Sequence, residues 1–190
     1  MPTARLKTDR TILLVIDVQV RLLPTLADRE RLLNNCTVLL RMAEALRLPV
    51  IVTEQNPGGL GRTAEALLEA MPEQAEVVEK TRFSAAVDEV LRIMHEKQRS
   101  TVLMAGIEAQ VCVLQTALDL LAGGKSCFLC SDAISAGQRD QIAPALARVS
   151  RAGGVVTGVL SAMYELLADS THPAFRRCLE LAKSVDKGDQ

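Results

Sequence analysis

The stretch Ser100–Leu121, STVLMAGIEAQVCVLQTALDLL, decides the fold. Thr101-Val102-Leu103-Met104-Ala105 is a short apolar run that reads as a buried strand. Gly106 breaks it. From Val113 onward, Val113, Leu114, Ala117, Leu118 and Leu121 recur at three- and four-residue spacings, one face of a helix. Cys112 sits at the turn between the two. The first turn of a helix leaves backbone N–H groups unpaired and carries partial positive charge. A thiol there is expected to lean toward thiolate, and the same N–H groups can hold an oxyanion. The alternative for the same residue is a buried cysteine packing as a small hydrophobe.

The alternation continues in both directions. Thr11–Ile16 is a continuous apolar run ending at Asp17, the pattern of a strand covered on both faces. A helix is expected from Arg29 to Leu46 with Asp28 as N-cap, then a strand from Pro49 to Thr53. A loop dense in Pro and Gly follows, EQNPGGLG, Glu54–Gly61. Next come a short helix over Thr63–Ala70, a weak strand over Ala75–Val78 ending at Glu79-Lys80, and a helix over Ser84–Glu96 capped by Ser84. Beyond Leu121 lie a strand around Cys127 closed by Ser131-Asp132 and a helix over Gln138–Ala152 with Pro144 near its start. A strand at Val155–Thr157 and helices near Ser161–Ala168 and Pro173–Ala182 complete the pattern, and the tail SVDKGDQ is expected to fray. Strands alternating with helices mean a parallel sheet with helices on both faces. Ligands bind such sheets beyond the carboxyl ends of the strands. Asp17, Lys80, Cys112 and Asp132 all stand at such ends.

Composition narrows the function. The 190 residues suit one domain, 1–190 with a core over about 10–183, and 48% hydrophobic with 24% charged residues is globular composition. A formal net charge of −1 and 2% aromatics point to neither nucleic acid nor an anionic membrane as partner. No apolar run reaches membrane-span length, and MPTARLKTDR holds no apolar segment of a secretory signal. Five cysteines without disulfide spacing imply reduced thiols and a cytoplasmic protein. Cys127 and Cys130 lie three apart in a strand and so point to opposite faces, which argues against a metal or redox pair.

Three segments carry a resemblance: Asp17-Val18-Gln19, Glu79-Lys80-Thr81-Arg82-Phe83-Ser84, and Gly106-Ile107-Glu108-Ala109-Gln110-Val111-Cys112-Val113. In this order they resemble the isochorismatase-like cysteine hydrolase superfamily, which includes nicotinamidases and carbamoylsarcosine amidases. The likeness covers roughly residues 10–167. The loop Thr53–Gly61 is similar to the subgroup containing isochorismatase domain-containing protein 2. The resemblance implies a three-layer αβα, doubly wound fold with a six-stranded parallel sheet in the order 3-2-1-4-5-6. It carries a triad over as Asp17, Lys80 and Cys112: Cys112 attacks a carbonyl carbon, Asp17 is the base, and Lys80 holds Asp17 and favours thiolate by its charge. It also implies a cis peptide between Ile107 and Glu108 that turns the Glu108 and Cys112 N–H groups toward one oxyanion. Without the family, Asp17 and Lys80 read as a solvated surface ion pair.

Two departures shape the expectation. Nicotinamidases of this family bind a metal through an Asp and His cluster, whereas here His95 and His172 both lie outside the motifs, so no metal and no cofactor is expected. Isochorismatases proper lack the cysteine. What remains is a metal-independent thiol hydrolase of a small carbonyl substrate, amide- or imide-like. Gln19, Leu22, Glu54, Gln55, Pro57, Leu60 and Phe83 are the expected pocket lining. Two other readings are a catalytically inactive binding protein on the same fold and a thiol redox protein using Cys112, with Cys127 or Cys130 on the adjacent strand to resolve it, or the Cys127/Cys130 pair itself. Phe175, Leu179 and Leu181 suggest a self-association face, and the family implies a homo-oligomer, dimer or larger.

Overall fold

A computed structural model describes residues 5–26 and 28–186, so residues 187–190 of the expected frayed tail lie outside the described part. Its centre is a six-stranded, all-parallel sheet in the order β3-β2-β1-β4-β5-β6. The strands are β1 (Thr11–Ile16), β2 (Val50–Gln55), β3 (Glu76–Lys80), β4 (Thr101–Gly106), β5 (Ser126–Ile134) and β6 (Val155–Thr157). β1 pairs with β2 on one side and β4 on the other, so the chain runs outward twice from the centre of the sheet. That reversal of direction opens a crevice at the carboxyl ends of β1 and β4.

Because neighbouring side chains on a strand point to opposite faces, the apolar runs divide cleanly into two cores. Leu13, Val15, Val52, Leu103, Phe128 and Cys130 face α1 (Arg29–Ala45), α7 (Val159–Leu167) and α8 (Phe175–Lys183). Ile12, Leu14, Ile16, Met104, Cys127 and Leu129 face α4 (Asp88–Glu96), α5 (Leu114–Ala122) and α6 (Ile142–Arg151). No helix among the described residues is long and apolar enough to cross a membrane.

Several local expectations are corrected. The loop after β2 contains a helical turn, α2 (Pro57–Leu60), and the following helix shrinks to α3 (Glu65–Leu68). α4 starts at Asp88, four residues after Ser84, whose hydroxyl accepts from Ala86 N instead of capping the helix. Asp28 precedes α1 but makes no cap bond to it; its carboxylate accepts from the Ser135 hydroxyl. Pro144 is the third residue of α6, where a missing N–H is tolerated. The start of the tail is pinned rather than frayed: Val185 is buried, and Asn35 pairs with both Asp186 N and O. In α8, Leu181 is buried and Phe175 packs on the core, leaving only Leu179 of the expected self-association face exposed.

Gly106 closes β4 with φ +119, and a Cβ there would stand 2.1 Å from Ile16 O in the neighbouring strand. No L side chain fits this conformation or this space. Gly106→Ala is expected to lose more than about 4 kcal/mol of stability, in the range of strained or overpacked sites, or to yield no folded protein. Urea unfolding followed by circular dichroism measures it, and a loss below about 1 kcal/mol, the average for any substitution, would contradict the packing.

All five cysteines are free and buried. Burial pushes the Cys36 and Cys127 thiols up from 9.0 to about 12, with Asp132 adding to the shift at Cys36. Between those values the unfolded chain binds fewer protons than the folded one, so stability falls as pH rises. The slope is about 1.4 kcal/mol per pH unit for each thiol. The urea midpoint should therefore show no thiol contribution below pH 9 and drop above it. Cys36→Ala and Cys127→Ala should each flatten that drop, and an unchanged slope in both would refute the assignment.

Candidate active site

Asp17 follows β1 directly and adopts φ 53, a left-handed conformation that aspartate tolerates better than most residues. This breaks the strand while Asp17 N still donates to Thr53 O on β2. Its carboxylate is 1% exposed and fully engaged: Thr53 Oγ1 donates to Oδ1 at 2.7 Å, and Lys80 Nζ donates to Oδ2 at 2.6 Å. Lys80 reaches it from the end of β3, two strands away, with its side chain wholly buried. The ammonium also donates to Gln55 Oε1 at 2.8 Å, Phe83 O at 3.1 Å and Arg82 O at 3.2 Å, more acceptors than its three protons. The pair is thus a desolvated, hydrogen-bonded ion pair rather than the solvated one that residue statistics alone suggest.

Cys112 enters from the other side of β1. The Ile107–Glu108 peptide after β4 is cis, and residues Ala109–Val113 form a π-helical turn that runs into α5. Thr116 Oγ1 donates to Cys112 O at 2.6 Å and accepts from Ala85 N at 2.7 Å, tying this turn to the chain that leaves Lys80. Cys112 is 7% exposed, and its thiol lies within the influence of the Asp17 carboxylate, the Lys80 ammonium and the Glu108 backbone.

The electrostatics correct the expectation of a thiolate. Burial, then the Asp17 charge, push the Cys112 thiol up to about 12, while Lys80 and the Glu108 backbone pull it down by less. The physical reason is burial first, and then that Lys80 is already paired with Asp17 at 2.6 Å, so the anion outweighs the cation at the sulfur. The resting group is a thiol beside a carboxylate.

The expected pocket lining divides. Gln19 is fully buried, with Nε2 donating to Gly61 O and Gln55 O, and Oε1 accepting from Gln55 N. Glu54 is equally buried: Thr63 N and Oγ1 donate to one oxygen and Arg62 to the other. Burial alone would raise the Glu54 carboxyl, but the Thr63 and Arg62 hydrogen bonds outweigh it and hold it below the usual range. Both residues are struts that fasten the loop after β2, not pocket walls. Gln55 is a first partner of Lys80, its amide held by Thr81 O. Leu22 packs on the core, and Leu60 and Pro57 are half-buried on α2. Phe83 is 55% exposed, with only its carbonyl turned to Lys80. A cleft of about 630 Å³ lies beside β3, bounded by Pro57, Lys80, Arg82, Val87 and Asp88; it touches neither Asp17 nor Cys112.

Thr53 was not among the expected site residues. It lies opposite Ile16 in the register, one position before Asp17, a pairing that only the folded sheet reveals. Asp132 stands inside β5 and accepts from Val159 N at the start of α7, away from the other three. Cys127 and Cys130 lie in different cores, so they face opposite sides of the sheet. Among the described residues no three His, Cys, Asp or Glu side chains are arranged to hold a metal. His95 is exposed at the end of α4, and His172 Nδ1 accepts from Ala174 N.

Comparison with known proteins fits this geometry to a family. The profile of the isochorismatase domain matches residues 11–160. Isochorismatase domain-containing protein 2 of Danio rerio is 33% identical over 180 residues, covering 93% of this chain and 89% of the relative. The structure of MAR1 ribonuclease from Caenorhabditis elegans superposes with a TM-score of 0.92 at 31% identity, over 97% of this chain and 96% of that one. YcaC from Escherichia coli, described as an octameric hydrolase of unknown specificity, shares the fold with a TM-score of 0.83 at 22% identity, over 98% of this chain and all of that one. With the buried Asp–Lys pair, the cysteine turn and the strand order all in hand, the chain belongs to the isochorismatase family.

Proposed function

We propose that this protein is a metal-independent cysteine hydrolase of small amide- or imide-like carbonyl compounds, with Asp17, Lys80 and Cys112 as its catalytic residues. The observation that supports the reading is the buried Lys80–Asp17 hydrogen bond with the Cys112 thiol close enough to feel both charges, a base oriented by a cation and set beside a nucleophile. As Sγ bonds to the carbonyl carbon, the thiol proton moves to Asp17, and the oxygen takes the negative charge. The Glu108 and Cys112 N–H groups are the donors assigned to that oxygen. Collapse of the adduct breaks the C–N bond, and Asp17 returns the proton to the departing amine. Water then attacks the thioester, gives its proton to Asp17, and releases the acid while the thiol is reprotonated. The raised thiol suits this order: the proton leaves with the attack instead of before it.

The binding-protein reading rests on the same fold with no turnover, and in the redox reading Cys130 drops out because it lies across the sheet, which leaves Cys127, in the same core as Cys112, as the resolving cysteine. The C. elegans neighbour carries a ribonuclease name; a net charge of −1 and 2% aromatics offer RNA little attraction here, so RNA serves as the expected non-substrate. The octameric YcaC supports a homo-oligomer, and five free thiols support a cytoplasmic setting.

Three variants test the triad. Ammonia release from a panel of small primary amides should vanish in Cys112→Ala and fall by about 10²–10⁴-fold in Asp17→Asn, the span of general-base catalysis. Thiolate absorbance of Cys112, taken as the difference from Cys112→Ala, should titrate at lower pH in Asp17→Asn and at higher pH in Lys80→Met. The signs follow from the anion that raises the thiol and the cation that lowers it. Lys80→Met should also cost about 3–5 kcal/mol, since it strands a buried carboxylate. If iodoacetamide labels Cys112 no faster than Cys36 or Cys178 in the native protein, and no amide is cleaved, the binding-protein reading replaces this one.

A further inference from the structure

Two polar groups beside Cys112 have no task in that hydrolysis. Glu108 is assigned to it through its backbone N–H, while its carboxylate makes contacts of its own. Oε2 accepts from Gln110 Nε2 at 2.6 Å, and Oε1 meets Gly137 N only at 3.4 Å. Gly137 is closely hemmed: a Cβ there would stand 3.3 Å from Glu108 Oε1 and 3.6 Å from Thr25 O. The carboxylate therefore sits where the loops after β1, β4 and β5 converge at the carboxyl edge of the sheet. Gln110 Oε1, next to it, is buried and accepts no hydrogen bond. Among the described residues, no Lys, Arg or His is paired with Glu108.

Glu108 is half-buried, and of the about four acceptor positions of its carboxylate the protein fills one well and one weakly, leaving the rest to solvent or a ligand. A buried carbonyl oxygen without a donor costs about 1–3 kcal/mol, and native structures usually answer such a group with water, an ion or a ligand. Both unfilled groups are acceptors, and one is an anion. What completes them must bring N–H donors and must not bring a second negative charge. The Glu108 backbone neighbours the Cys112 thiol and opens the turn that carries it, so the Glu108 and Gln110 side chains start within a few residues of the reacting sulfur.

We infer that Glu108 is a specificity-determining residue of the Cys112 site. Its carboxylate, with Gln110 Oε1, receives N–H groups of the substrate, selecting small neutral or cationic compounds with amide, ureido or ammonium groups over carboxylate-bearing ones. The inference rests on Cys112 being the nucleophile.

Two thiol reagents of nearly equal shape test it: iodoacetamide, which carries an amide NH₂, and iodoacetate, which carries a carboxylate. Rates of alkylation at Cys112 are read by peptide mass spectrometry and normalised to the rates on glutathione. The wild type should favour iodoacetamide by about ten-fold or more over the glutathione ratio, as expected where like charges are brought together. Glu108→Gln should bring the ratio back toward that of glutathione, chiefly by speeding iodoacetate. If Glu108→Gln does not fold by circular dichroism, Glu108→Ala is read in its place; the Asp17 carboxylate is present in wild type and variant alike, so the change between them carries the test. A wild-type ratio equal to that of glutathione overturns the inference and leaves the hydrolase reading standing, as does a preference that survives both variants. Failure of either reagent to label native Cys112, while the urea-unfolded chain is labelled, overturns the nucleophile itself and this inference with it.

Discussion

The buried contact between Lys80 Nζ and Asp17 Oδ2, 2.6 Å long and wholly desolvated, is the constraint on which the rest of the site depends. Two charges taken out of water repay their desolvation only when every remaining proton and lone pair is met. The chain arranges this from three segments. Thr53 fills the second oxygen of Asp17, Gln55 and two carbonyls fill the ammonium, and Gln19 locks Gln55 in position. Glu54 and Gln19, which contribute nothing directly to the pocket, hold the loop that carries these partners.

The same pair sets the state of the sulfur. A free lysine beside Cys112 would stabilise a thiolate, but a lysine already neutralised by aspartate leaves the anion to dominate. Helix-start electrostatics are therefore outweighed by desolvation and by one neighbour at short range. In the proposed mechanism this couples the proton to the bond-forming step, so that the base and the nucleophile act as one unit.

Sheet topology explains why such a site can exist at all. β1 lies between β2 and β4, and the loops beyond its end meet those of both neighbours. Lys80 reaches across from β3 on one side, and the Cys112 turn comes from β4 on the other. Gly106 lets β4 approach Ile16 of β1 more closely than any other residue allows, which brings the cysteine turn against Asp17.

The amino-acid sequence by itself determined the parallel αβα architecture, because uninterrupted apolar runs such as Thr11–Ile16 and Thr101–Ala105 can only be buried on both faces. It also marked Asp17, Lys80 and Cys112, because ionisable residues at successive strand ends are conspicuous against apolar strand bodies. Helix starts were less legible: Ser84 and Asp28 look like caps, yet a local turn to Ala86 N takes the Ser84 hydroxyl and the distant Ser135 takes the Asp28 carboxylate. The protonation of Cys112, the strut roles of Gln19 and Glu54, and the hold of Thr53 on Asp17 were decided by tertiary structure alone. Each depends on which residues, distant in the chain, meet within about 3 Å once solvent is gone, and hydrogen bonding and desolvation act at that range rather than along the sequence.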